Sequence, residues 1–199
     1  MYDWRKMSDD ERQQILTKRR AQKLPWHSPP HLDFKGTHQY LISASCYEHA
    51  AILGQSVERM SECENEVLKV CYDFCLSLYA WCILPNHYHT LVKTDRIAEL
   101  RYALGQFHGC SSFRWNGEDD RRGRKVWHNC FERPIKSERH FWVTMNYIHH
   151  NPVHHGYVDH WQDWPWSSAG EFLRVSGQTR ALELWRKYPI LDYGKKWDR

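Results

Sequence analysis

Leu76 to Leu84 is an almost unbroken apolar run, and it ends at Pro85-Asn86, after which the chain reads His87-Tyr88-His89-Thr90-Leu91-Val92-Lys93. A short apolar run bounded by such a turn reads as a central strand covered on both faces, with the turn feeding an antiparallel partner. That hairpin commits the chain to an antiparallel sheet. Period two along the returning strand puts His87, His89 and Leu91 on one face and Tyr88, Thr90 and Val92 on the other. Two imidazoles on one face can converge on one ion.

The flanking sequence supplies the rest of the fold. Gln39 to Cys46 alternates as a strand does, and Ser56 to about Cys71 carries Val57, Met60, Val67, Leu68 and Cys71 at roughly helical spacing. Ile97, Leu100, Leu104, Phe107 and Ser111 mark one stripe of a second helix, ending near Trp115. Asn116 to Lys125 is a glycine-broken, charged loop, and Val126 to about Ile135 reads as a last strand. Ser137 caps a helix through about Asn151, where Pro152 disfavours continuation. The order β-α-β-β-α-β followed by a helix predicts an α+β, ferredoxin-like (RRM-like) antiparallel sheet with helices packed on one face. At the start of the chain, Ser8-Asp9-Asp10-Glu11 reads as a capping box, and Pro25, Pro29 and Pro30 stop the helix it opens. The expected organisation is an arm at 1–35, the main domain at 36–158 and a Trp-rich tail at 159–199.

A second segment, Asn146-Tyr147-Ile148-His149-His150-Asn151-Pro152, bears on chemistry. On a helix Asn151 follows Tyr147 by one turn on the same face. Two neutral imidazoles and an amide oxygen make an open three-ligand metal site beside a nucleophilic tyrosine, a combination suited to breaking and rejoining a phosphodiester. Asn151 precedes a proline and fits either a ligand or a helix C-cap. His149 and His150 are offset from Tyr147 and are expected to point toward a phosphate or solvent. Ligand softness alone suits Mn, Zn, Fe or Ni.

Taken in order from His38 to about Leu173, the Pro85-Asn86-His87-Tyr88-His89 hairpin, Trp127-x-x-x-Phe131-x-Arg133, Tyr147-Ile148-His149-x-Asn151-Pro152-Val153 and Trp166-Ser167-Ser168 form an ordered set. The set resembles the single-tyrosine transposases with a His-hydrophobic-His signature, most closely the REP-associated tyrosine transposase branch. Tyr88 stands where that family carries a plain hydrophobic residue. The resemblance implies Tyr147 as nucleophile and His87, His89 and Asn151 as ligands of Mg2+ or Mn2+. It implies single-stranded, REP-like hairpin DNA as partner and a 5′-phosphotyrosine intermediate that leaves a free 3′-hydroxyl. It also implies a monomer, or a homodimer that exchanges tyrosine helices, in the bacterial cytoplasm and associated with the nucleoid. The alternative on the same fold is a domesticated DNA- or RNA-binding protein with little or no cleavage activity.

Composition agrees with a nucleic-acid partner. The formal charge is +4, and 28 Lys and Arg are interleaved with 11 Trp, as suits phosphates and unpaired bases. Arg121, Arg122, Arg124 and Lys125 form the densest basic cluster, although Glu118, Asp119 and Asp120 offset part of it. Arg133, Lys136 and Arg139 lie between that cluster and the tyrosine segment, and Lys18, Arg19 and Arg20 lie in the arm. All ten are candidate phosphate contacts. Seven Cys without a Cys-x-x-Cys pair are expected as reduced thiols. No run approaches the ~18 apolar residues of a membrane span. Trp161, Trp164 and Trp166 are expected to form a structural lid over the sheet.

Overall fold

The computed structural model describes residues 7–22 and 35–195. Strands β1 (His38–Ser45), β2 (Ser77–Leu84), β3 (His87–Thr94) and β4 (Phe131–Pro134) form one antiparallel sheet in the order β2-β3-β1-β4. Helix α2 (Val57–Phe74) joins β1 to β2, and α3 (Ile97–Glu118) joins β3 to β4. This is the ferredoxin-like arrangement. Ser56 caps α2 by accepting from the Arg59 amide at 3.1 Å, and Ser137 caps α4 (Glu138–His154) by accepting from the His140 amide at 3.1 Å.

Strand alternation creates two cores. Tyr40, Ile42 and Ala44 of β1 and Tyr88 and Val92 of β3 pack with Met60, Val67, Leu100 and Leu104 of α2 and α3. On the opposite face, Leu41, Ala80, Cys82, Leu84 and Leu91 pack with Met145, Tyr147 and Ile148 of α4. The crossover helices thus share one face as expected, whereas α4 covers the other. The tail joins it there through α5 (Ala169–Ser176) and α6 (Gln178–Lys187), with Trp161, Phe172, Leu184 and Trp185 against the second core. The layers are helix, sheet, helix.

Several local expectations change. β2 is an edge strand rather than a central one. Its free side is closed by the tail: the Ile83 amide donates to Trp166 O at 2.9 Å, the Ser168 amide donates to Trp81 O at 3.1 Å, and Trp164 Nε1 donates to Ile83 O at 2.7 Å. Coverage on both faces and along the edge accounts for its apolar run. The last strand is only Phe131–Pro134, with Trp127 meeting Cys46 in a single bridge. α3 continues to Glu118, past Trp115. α4 runs through Pro152 to His154, with the His155 amide donating to Asn151 O at 3.1 Å. Pro152 removes one backbone donor near the end of the helix, where the loss is local, and leaves Asn151 inside it.

The capping box forms as expected, opening α1 (Asp9–Ala21): the Glu11 amide donates to Ser8 Oγ and the Ser8 amide to Glu11 Oε2. The Pro-rich segment after it lies outside the described residues. All seven Cys are free thiols. Among the described residues no helix is long and apolar enough to cross a membrane.

Candidate active site

The hairpin turn is held before its histidines are used. The Cys46 amide donates to Asn86 O at 2.7 Å and the Gly54 amide to Pro85 O at 2.9 Å. A Cβ at Gly54 would overlap Pro85, so only glycine permits that approach. Asn86 Nδ2 donates to His49 O at 3.1 Å, which turns Asn86 Oδ1 toward His87 Nδ1, 2.6 Å away. His89 lies opposite Ser43 in the ladder, and its Nδ1 is 2.6 Å from Ser43 Oγ. With both Nδ1 atoms engaged, Nε2 of each ring is left for α4.

α4 presents Tyr147 and, one turn on, Asn151. Tyr147 Oη is 3.4 Å from His89 Nε2, and Asn151 Oδ1 is 3.0 Å from His87 Nε2. The two imidazole centroids are 5.0 Å apart. The four residues predicted from sequence therefore meet at one place, and all are buried. Asn151 lies inside α4, whose C-cap is His155, and its side chain points into the cluster.

The donor set fits a divalent cation. A neutral His87 that donates from Nδ1 to Asn86 offers a lone pair at Nε2, and the Asn151 oxygen facing it is also an acceptor. Two acceptors in contact are satisfied by a positive ion shared between them, and 3.0 Å is about the separation of adjacent ligands on an ion with bonds of roughly 2.1 Å. Among the described residues no three His, Cys, Asp or Glu side chains are grouped to hold a metal, so an ion at this place would take the Asn151 amide oxygen as its third protein ligand.

Of the basic residues named from sequence, Arg133 lies near this cluster, while the cluster's other neighbours, His155, Tyr193 and Gly194, were not found by sequence reasoning. Arg133 lies opposite Leu41, on the face of the sheet that packs against Tyr147. Burial lowers its pKa, and the nearby Tyr193 and Tyr147 oppose that shift, so its charge lies within electrostatic reach of Tyr147. His155, one turn beyond Asn151, has its ring centroid 5.1 Å from that of His87. Its spacing of four from Asn151 was the available signal. Tyr193 comes from the tail: its ring lies 5.6 Å from Tyr147, and its hydroxyl bonds Thr144 Oγ1 at 2.6 Å and His140 Nε2 at 3.1 Å. Gly194, at φ 80°, lies so close that a Cβ would overlap the Tyr147 ring.

Tyr147 is consequently only 4% exposed, and a reagent that attacks it would have to displace the tail. Gly194→Val is expected to loosen this cover, since it adds both a clash and a positive-φ penalty. Mapped nitration of Tyr147 by tetranitromethane should become several-fold faster; an unchanged rate would show that Gly194 does not seat the cover.

The remaining site candidates fall elsewhere. His149 is buried rather than turned to solvent: its Nε2 is 3.0 Å from Ser168 Oγ, its ring stacks on Trp161, and burial pushes its pKa down to about 3. His150 is half-buried, with Nδ1 3.1 Å from Asn146 O. The basic cluster has partners of its own away from Tyr147. Arg124 bonds Asp119 Oδ2 at 2.6 Å and Asn116 Oδ1 at 2.9 Å, and Arg122 donates to Phe113 O at 2.6 Å with its guanidinium over that ring. Lys125 Nζ lies 4.7 Å over Tyr47, and Arg121 is exposed. Lys136 and Arg139 are exposed around the start of α4, and Lys18, Arg19 and Arg20 form the last turn of α1.

Residues 36–151 match the family described as Transposase IS200 like. The chain belongs to that family, in its REP-associated tyrosine transposase branch. It is 31% identical over 120 residues to a REP-associated tyrosine transposase of Haemophilus influenzae, covering 55% of this chain and 68% of that protein. A REP-associated tyrosine transposase of Escherichia coli is 30% identical over 111 residues, which are 52% of this chain and 61% of the relative. A solved structure of a REP-associated tyrosine transposase bound to a REP hairpin matches with a TM-score of 0.57 at 20% identity, covering 82% of this chain and 88% of that one. At that identity the likeness is one of fold. Membership makes this chain a DNA-processing enzyme in general.

Proposed function

We propose that this transposase-family chain is a metal-dependent, single-strand-specific DNA endonuclease and strand transferase. It binds folded-back palindromic hairpins of the REP type and cuts near the foot of the stem. The observation that carries the reading is the meeting of Tyr147 Oη with His89 Nε2 at 3.4 Å beside the His87–Asn151 pair at 3.0 Å. The relatives named above supply the substrate class.

In the proposed reaction the Tyr147 oxygen attacks the scissile phosphorus and the P–O3′ bond breaks. The products are a 5′-phosphotyrosine and a 3′-hydroxyl, which takes up a proton as the phenol gives one up. The ester keeps the bond energy, so a later 3′-hydroxyl can attack it and release Tyr147 without another energy source. A Mg2+ or Mn2+ ion held by His87, His89 and Asn151 would polarise a non-bridging phosphate oxygen and hold the phosphate in line. Arg133 favours the phenolate at Tyr147. Ser43 and Asn86 fix the orientation of the two imidazoles.

A second reading, hairpin binding with little cleavage, is favoured by one observation: the burial of Tyr147 beneath Tyr193 and Gly194. The test is a labelled strand carrying a REP-type hairpin with unpaired flanks, compared with the same strand with a scrambled stem, in Mn2+ or Mg2+. Cutting of the hairpin strand alone is expected. Binding without any cut, including after the tail cover is loosened, supports the second reading.

A further inference from the structure

Tyr193, the ring that covers Tyr147, is held by a cycle of hydrogen bonds whose proton positions follow from the geometry. The Lys136 amide donates to His140 Nδ1 at 3.1 Å, so that nitrogen carries no proton. A neutral His140 is then protonated at Nε2 and donates to Tyr193 Oη, 3.1 Å away. Thr144 Oγ1 donates to His140 O at 2.7 Å, and the Tyr193 hydroxyl therefore donates to Thr144 Oγ1 at 2.6 Å. Every donor in the cycle has its acceptor only while the imidazole is neutral. A second proton would sit on Nδ1 against the Lys136 N–H and bring two donors into contact.

Tyr188 is anchored apart from this cycle. Asn146 Nδ2 donates to Tyr188 O at 2.9 Å, the Tyr188 ring stacks on Trp142, and its hydroxyl donates to Glu138 Oε1 at 3.2 Å. Between that anchor and Tyr193 stands Leu191, exposed and at φ 50°, a conformation that favours glycine. The closed segment therefore holds backbone strain that opening would relieve.

We propose that residues 189–195 form a pH-sensitive latch, in which protonation of His140 releases Tyr193 and uncovers Tyr147. The groups that face His140 set the pH range. Burial, then Arg133 from β4 and Lys136 from the turn before α4, hold its pKa below the ordinary 6.5. Its place in the first turn of α4, at the positive end of the helix dipole, acts the same way. Tyr193, from the tail, has its own pKa raised by burial and faces the ring as a neutral phenol. Asp192 beside it is paired with Lys195 at 2.9 Å, and Glu138 is engaged by Tyr188. The closed form thus binds the proton more weakly than the open one. The latch is at full strength above 6.5 and is lost as pH falls through the lower, closed-state value. What it uncovers is the nucleophile of the reaction proposed above, so its effect on cleavage rests on that reading; the opening itself does not.

Hydrogen–deuterium exchange of the native protein, corrected for the intrinsic pH dependence of amide exchange, reads the opening without DNA. The Tyr193 and Lys195 amides, which donate to Ile190 O at 2.9 Å and Asp192 O at 3.2 Å, are the reporters, and the β3 amides are the reference. Between about pH 8 and about pH 5 the corrected rate of the reporters should rise about ten-fold while β3 stays constant. His140→Gln, which has no titrating ring, should remove the rise. Tyr193→Phe, which keeps the ring and loses the hydroxyl, should exchange fast at both ends of the range. A native rate that does not change with pH, a rise that persists in His140→Gln, or native-like protection of Tyr193→Phe at about pH 8 would each overturn the latch. None of these outcomes touches the cleavage reading, which fails instead if no Tyr147 adduct forms while the exchange behaves as expected.

Discussion

Tyr147→Phe is expected to bind a REP-type hairpin with nearly native affinity and to form no covalent protein–DNA adduct. The substitution removes one oxygen from a ring whose packing against Leu41, Leu91 and Tyr193 is otherwise preserved. It also removes the 3.4 Å contact with His89, a long hydrogen bond whose loss costs at most about 1 kcal/mol of stability. The fall in cleavage should be on the order of 10³-fold or more, since no other tyrosine hydroxyl lies against either histidine Nε2 among the described contacts. Gel-shift affinity and denaturing-gel adducts, measured on the same preparations, separate the two effects. An adduct formed by the Phe variant would move the nucleophile elsewhere.

The second large effect concerns the ion. His87→Ala and His89→Ala are each expected to abolish cleavage and to weaken Mn2+ binding, read by electron paramagnetic resonance of free Mn2+ as well as by activity. Asn151→Ala should lose less and recover partly at high Mn2+, because water replaces an amide oxygen more readily than an imidazole. Ser43→Ala leaves all three donors in place but releases the His89 ring, and a loss of about 10–100-fold in metal affinity is expected. Equal, unrescuable loss in all three ligand variants would make Asn151 as essential as either histidine. Unchanged Mn2+ binding in the histidine variants would remove the metal from the account.

Why the cluster was legible and its surroundings were not follows from distance along the chain. His87 and His89 share a face by strand alternation, and Tyr147 and Asn151 by helical spacing, so each pair is encoded within five residues. The joining of the pairs, and the contacts that orient them, depend on packing. Ser43 meets His89 from 46 positions away, and Tyr193 meets His140 from 53. Neither residue type at those places signals its partner. β2 read as central because burial leaves the same apolar pattern whether a strand or the Trp166–Ser168 segment closes its edge. Pro152 misled for a local reason: near a helix end the lost donor is cheap, and the helix carried Asn151 inside.

The basic residues show a different limit. Arg121, Arg122, Arg124 and Lys125 are adjacent in sequence, yet Arg124 and Arg122 are spent on Asp119 and Phe113, and Lys125 on the Tyr47 ring. Charge density in a loop did not say which cations face outward. Arg133, outside that loop, is the sequence candidate whose charge lies within electrostatic reach of Tyr147.

The central claim is that Tyr147 becomes joined to DNA. The direct measurement is peptide mapping by mass spectrometry of the protein after reaction with a hairpin substrate in Mn2+. The account predicts a nucleotide attached through its 5′-phosphate to the peptide that contains Tyr147, together with a released strand ending in a 3′-hydroxyl. An adduct on another residue, or cut DNA whose 5′-phosphate is free from the outset with the protein unmodified throughout, would contradict it.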